Sequence, residues 1–204
     1  MKDDRNPVTP PGQEEGVQKN LVSEKECNSA TEAEAFYEVA RARLFDVNNW
    51  HKTTKGIKTV FQLVDKEGNP LSRTAREGDY VAIDIPGPGS DSGGGRDWVL
   101  VEGLEPEQKG EQRAGMRLRP VSNPTVAANN TAHFFSDHAS STFTIERDGN
   151  KVRARYHGRN EKPNTDASTI KEKVRNAVVA IGAMLGFSDI QWKGLIEGFL
   201  DPEE

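Results

Sequence analysis

Four histidines, His51, His133, His138 and His157, are the chain's readiest chemical side chains. Asp137 sits between His133 and His138, and Glu161 follows His157 closely. Two or three imidazoles with a carboxylate make a ligand set for Zn2+ or Fe2+. The spacing argues against one: there is no His-Glu-x-x-His run, and the odd offset between His133 and His138 puts them on opposite faces of a regular strand. Ordinary surface or hydrogen-bonded histidine is the simpler reading. Ser136, Ser140 and Ser141 lie nearby without a Gly-x-Ser-x-Gly elbow, and Cys27 falls in a polar stretch with no fixed base. No catalytic residue is assigned, and no metal or cofactor is expected.

The second candidate is electrostatic. Lys151, Arg153, Arg155 and Arg159, with Lys162 beyond, form a local basic ladder in a chain of net charge −5. Guanidinium groups suit bidentate contact with carboxylate or phosphate. The bland alternative is a solvated sheet face with cross-strand ion pairs. The run from His157 to Asn164 is polar and turn-like, and is expected to be a recognition loop. The ligand-binding set is therefore Trp98, Arg153, Arg155, His157, Arg159, Asn160 and Glu161. The glycine-rich stretch 86–96 lacks the lysine of a phosphate loop and precedes a strand rather than a helix. It reads as a flexible connection, or as a lid over a pocket.

These groups need elements to position them. Asp148-Gly149 between two alternating segments signals a β-hairpin. With that dipeptide at the turn centre, Ile145 faces Val152 and Phe143 faces Ala154. Phe143, Ile145, Val152, Ala154 and Tyr156 then form the core face, and Thr142, Thr144, Glu146, Arg153, Arg155 and His157 the other. Further strands are expected over 57–64, 79–85 and 97–102, with a short one near 116–121. Residues 31–49 read as a helix with Thr31 as N-cap. Thr169-Ile170-Lys171-Glu172 and Ser188-Asp189-Ile190-Gln191 open two C-terminal helices.

Composition sets the outer limits. The acidic balance excludes a general nucleic-acid binder. The second C-terminal helix offers Lys193 as its one cation beside Asp189 and Glu197, too little for a DNA recognition helix. A single cysteine rules out an internal disulfide framework and fits a reducing, cytoplasmic setting. No stretch reaches the length of a membrane span, so no membrane partner is expected. Residues 1–30 are polar and proline-containing and read as a disordered tail, leaving 31–204 as a single domain.

The element order predicts an α+β fold: one mainly antiparallel sheet of five to seven strands, with an N-terminal helix and two C-terminal helices packed on it. The layout is similar to the helix-grip arrangement, in which a long C-terminal helix lies across a curved sheet, except that no strand is read before the first helix. Recognition chemistry without a catalytic signature points to a non-enzymatic ligand- or partner-binding module, with an anionic ligand among the candidates. The alternatives are a small metal-assisted enzyme built on the histidines with Asp137 or Glu161, and an interaction subunit docking through the helix over 189–200.

Overall fold

A computed structural model of the chain describes residues 8–53, 59–84, 96–105, 112–126, 138–162 and 189–201. The 86–96 loop up to residue 95, the first C-terminal helix, His133 and Asp137 lie outside the described residues.

Seven antiparallel strands form one sheet in the order β1-β7-β6-β5-β4-β3-β2. They are β1 (Val17–Glu26), β2 (Val60–Val64), β3 (Tyr80–Asp84), β4 (Asp97–Glu105), β5 (Arg113–Pro120), β6 (Ser140–Asp148) and β7 (Lys151–Glu161). Strands β2 to β7 follow one another as a meander, and β1 returns to pair with β7. The expected α+β architecture is present, with helices on one face of the sheet, here the inner face. Those helices are α1 (Ala30–Phe45), a short α2 (Trp50–Thr53) and α3 (residues 189–199).

Within the 1–30 segment read as a disordered tail, strand β1 corrects that reading for Val17–Glu26. Its sequence is polar because it is an edge strand: Leu21 packs against the core, while Glu24 and Glu26 lie along cations of β7. Composition alone does not register a partner strand that is distant in sequence. The strand also supplies what the helix-grip layout lacked before its first helix.

The hairpin keeps its faces but not its register. Asp148 pairs with Lys151, Ile145 with Ala154 and Phe143 with Tyr156. Gly149 carries the positive φ of 61°, so the turn is centred on Gly149-Asn150, with glycine first as type II′ requires. Each strand shifts by one residue, which preserves the alternation. Helix α1 starts at Ala30, capped by Ser29, whose Oγ accepts from the Glu32 amide at 3.1 Å. Strand β5 runs over eight residues, longer than expected. Residues 157–161 belong to β7, so the expected recognition loop is largely strand.

The core is aromatic where the helices meet the sheet. Trp50 packs edge-on to Phe61 and Phe199 and lies against Phe143 at 5.5 Å. Trp192 stacks on Tyr156 at 5.6 Å. Arg43 of α1 donates to the carbonyls of Gly198, Phe199 and Asp201, satisfying groups that a helix C-terminus leaves open. Leu195, Ile196, Phe199 and Leu200 are buried in this core. The α3 face expected to dock a partner is therefore committed to the chain's own interior, apart from the exposed Ile190.

Candidate functional site

The outer face of β7 carries the basic ladder, and each of its cations is engaged. Arg153 Nε lies 2.5 Å from Glu24, and Lys151 Nζ 3.1 Å from the same carboxylate. Arg155 pairs with Glu146 at 3.3 Å, and Lys162 with Glu15 at 3.0 Å. Arg159 donates to the Lys19 carbonyl and to Asn20 Oδ1, and His157 Nδ1 lies 2.8 Å from the same Asn20 oxygen. Partial burial holds the His157 imidazole below its ordinary pKa, and the charges of Arg159 and Arg155 add to this. Trp98 shares the outer face but sits on β4 with Val64 and Ala82, separated from β7 by β5 and β6. Trp98 and the β7 arginines therefore do not line one site. Among the described residues no group of three metal-ligating side chains occurs.

Asn160 and Glu161 depart from this face. Asn160 adopts a φ of 54°, the left-handed conformation that asparagine tolerates better than most residues. Its side chain binds the backbone of the N-terminal segment: Oδ1 accepts from the amides of Glu14 and Glu15, and Nδ2 donates to the Gly12 carbonyl. The left-handed residue breaks the strand alternation, and Glu161 folds back across Gly158 toward the inner face. Gly158 leaves room for it; a Cβ there would overlap Glu161 Oε1.

Glu161 there completes a buried polar cluster. Tyr156 Oη donates to Glu161 Oε1 at 2.7 Å, and Ser141 Oγ lies 3.2 Å from the same phenol. Lys19 of β1 reaches Glu161 Oε2 at 3.3 Å and Asp189 Oδ1, at the start of α3, at 2.6 Å. The side chains of Lys19 and Glu161 are 10% and 2% exposed, so this ion pair is largely removed from water. Burial pushes the Tyr156 phenol well above its ordinary pKa, with the Glu161 charge adding to it, so the hydroxyl remains a donor. The floor is Phe143, Tyr156 and Trp192. Next to Asp189 on α3, the buried Gln191 Nε2 and Trp192 Nε1 have no hydrogen-bond partner among the described residues.

Of the residues assigned to the ligand-binding set from sequence, Glu161 alone enters this cluster. Lys19, Ser141, Tyr156, Asp189, Gln191 and Trp192 were missed as binding groups. Their one legible signal was Tyr156, a hydroxyl-bearing aromatic on the predicted core face, which needs a polar partner when buried. A separate open groove of about 470 Å3 lies between α1 and the segment before β3, lined by residues that include Arg41, Phe45, Arg76, Glu77 and Leu104. None of these lining residues belongs to the buried cluster, and none of them is a buried charge.

No family model matches the chain, and no curated protein matches its sequence. Solved structures with a similar chain path include a hypothetical protein from Helicobacter pylori, 14% identical with a TM-score of 0.47 over 88% of this chain and 84% of that one. A STAR-related lipid transfer protein from Xanthomonas axonopodis is 13% identical, with a TM-score of 0.47 over 89% and 86% of the two chains. Norcoclaurine synthase from Thalictrum flavum is 9% identical, with a TM-score of 0.43 over 95% and 100%. No helix among the described residues is long and apolar enough to cross a membrane.

Proposed function

We propose that the chain is a non-enzymatic binding module for a small aromatic or apolar molecule carrying an amine, held on the inner face at the Lys19–Glu161–Tyr156 cluster. One observation carries this reading: among the described residues one ammonium, Lys19, lies between the buried carboxylate of Glu161 and the half-exposed carboxylate of Asp189, against an aromatic wall. The excess negative charge favours a second cation, and the faces of Trp192 and Tyr156 add cation–π attraction. The Gln191 and Trp192 donors, without a partner among the described residues, are costly where they stand, and a ligand acceptor would relieve them. Such a site, largely apolar with a few convergent polar groups, is the usual form of a small-molecule pocket.

This reading moves the site from the outer arginines to the inner face and replaces the anionic ligand by a cationic one. The outer cations already have partners that hold the sheet together. Catalysis is not part of the proposal.

The test is calorimetric titration with three indoles that differ in charge: tryptamine, indole and indole-3-acetate. Tryptamine is expected to bind saturably and at least about tenfold more tightly than the other two, a difference of about 1.4 kcal/mol. Glu161→Gln should remove that preference. Equal affinity for all three, or preference for the carboxylate, would overturn the proposal.

A further inference from the structure

Residues 8–16 cross the outer face of the sheet and are held by it mainly through their backbone. The Val8 amide donates to Glu105 Oε2 at 3.0 Å, and its carbonyl accepts from Arg113 Nη2 at 2.8 Å. The Thr9 carbonyl accepts from Arg117 Nη1 at 3.0 Å. The Val8 side chain is buried over two glycines: a Cβ on Gly115 would lie 3.2 Å from Val8 Cβ, and one on Gly103 3.5 Å from Val8 Cγ2. Glu105 is itself buried and paired with Arg113. A carboxylate that accepts an amide, guanidiniums that donate to successive carbonyls, and a slot for one branched side chain together read an extended peptide. Backbone contacts supply affinity and the slot supplies selectivity, as in other modes of extended-peptide recognition.

The same segment ends on the residue that sets the inner site. Its Gly12, Glu14 and Glu15 backbone groups bond the Asn160 side chain, and the Asn160 amide donates to Gln13 Oε1 at 3.0 Å. The left-handed Asn160 is what sends Glu161 inward.

We propose that the slot made by Gly103, Gly115, Glu105, Arg113 and Arg117 is a peptide-docking site, that residues 8–16 of this chain are its resident strap, and that its occupancy holds Glu161 in the inner cluster through Asn160. The effect on ligand binding rests on the function proposed above; the docking and its coupling to Asn160 do not.

The experiment follows hydrogen exchange at the Glu14, Glu15 and Asn160 amides in the full chain by NMR. Val8→Asp places a charge in the apolar slot. Losing the burial of a valine side chain should speed exchange at all three amides by about tenfold or more. Adding a synthetic peptide of residues 6–17 should restore protection at the Asn160 amide, because the peptide brings its own Gln13, while the displaced Glu14 and Glu15 amides of the chain stay fast. Val8→Gly leaves every residue of the sheet in place and should give the same change at smaller amplitude, which separates strap release from unfolding. Unchanged exchange at Asn160 in both variants would overturn the coupling. Failure of the peptide to restore protection would overturn the docking site. Because no small ligand enters this measurement, it stands or falls separately from the tryptamine titration.

Discussion

Tyr156 and Glu161 are five positions apart on one strand, yet their side chains meet at 2.7 Å on the inner face. Regular alternation would point them to opposite faces. The contact exists because Asn160 turns left-handed and Gly158 leaves the path clear. The bond is buried, so removing one partner strands the other. Tyr156→Phe should destabilise the fold by about 1–3 kcal/mol, the cost of leaving a buried polar group unsatisfied. Urea denaturation checks this; a loss indistinguishable from zero would mean that the carboxylate finds another donor.

Gly158→Ala tests the same contact from below. The new Cβ would overlap Glu161 Oε1 and lie 3.0 Å from Tyr156 Oη, so the carboxylate must leave. With the pair already broken, adding Tyr156→Phe should cost little more. A double-mutant cycle measures this, and additive losses would show that the pair survives Gly158→Ala.

Asp97 sets a pH dependence of its own. Burial alone pushes its pKa up from 3.8 to about 7, and its Oδ1 has no partner among the described residues. Between those values the folded state binds more protons than the unfolded state. Stability therefore falls as pH rises from 3.8 through about 7, then levels off. Asp97→Asn should match the parent near pH 4 and exceed it at pH 8. Denaturation midpoints across that range give the difference curve, and a flat difference would show that Asp97 is ionised at no cost in the fold.

Gly198→Ala concerns the seat of α3. A Cβ there would overlap the Thr53 carbonyl, which is backbone and cannot swing away. Overpacking of this kind costs about 1–3 kcal/mol. The helix should lift from α2, and Trp fluorescence should shift with the Trp50–Phe199 contact. Thermal unfolding unchanged from the parent would contradict this account of the α2–α3 contact.

The faces of the β6–β7 hairpin were legible because period-two alternation survives a small error in the turn: centring it on Asp148-Gly149 instead of Gly149-Asn150 moved both strands together and left Tyr156 inside. Helix α3 was legible from its capping run and apolar spacing. Strand β1 was not. Lys19, Glu24 and Glu26 read as tail residues until their partners on β7 are known, and those partners lie more than a hundred positions away. The basic ladder misled for the same reason, since the counter-charges of Lys151 and Arg153 come from that strand. Glu161 was picked out for its polar neighbourhood, but its face depends on one φ angle at Asn160, which composition and periodicity do not carry.

The pairing of the first strand with the last has a consequence during synthesis. Asn20 and His157 face each other across 137 positions of chain. The meander from β2 to β7 closes through near neighbours, whereas β1 leaves the ribosome before all of them and has no partner until β7 follows. Until then it is an open strand edge in search of hydrogen bonds. Its run of lysine and glutamate, which hid it as a strand, also makes it a poor template for other chains while it waits.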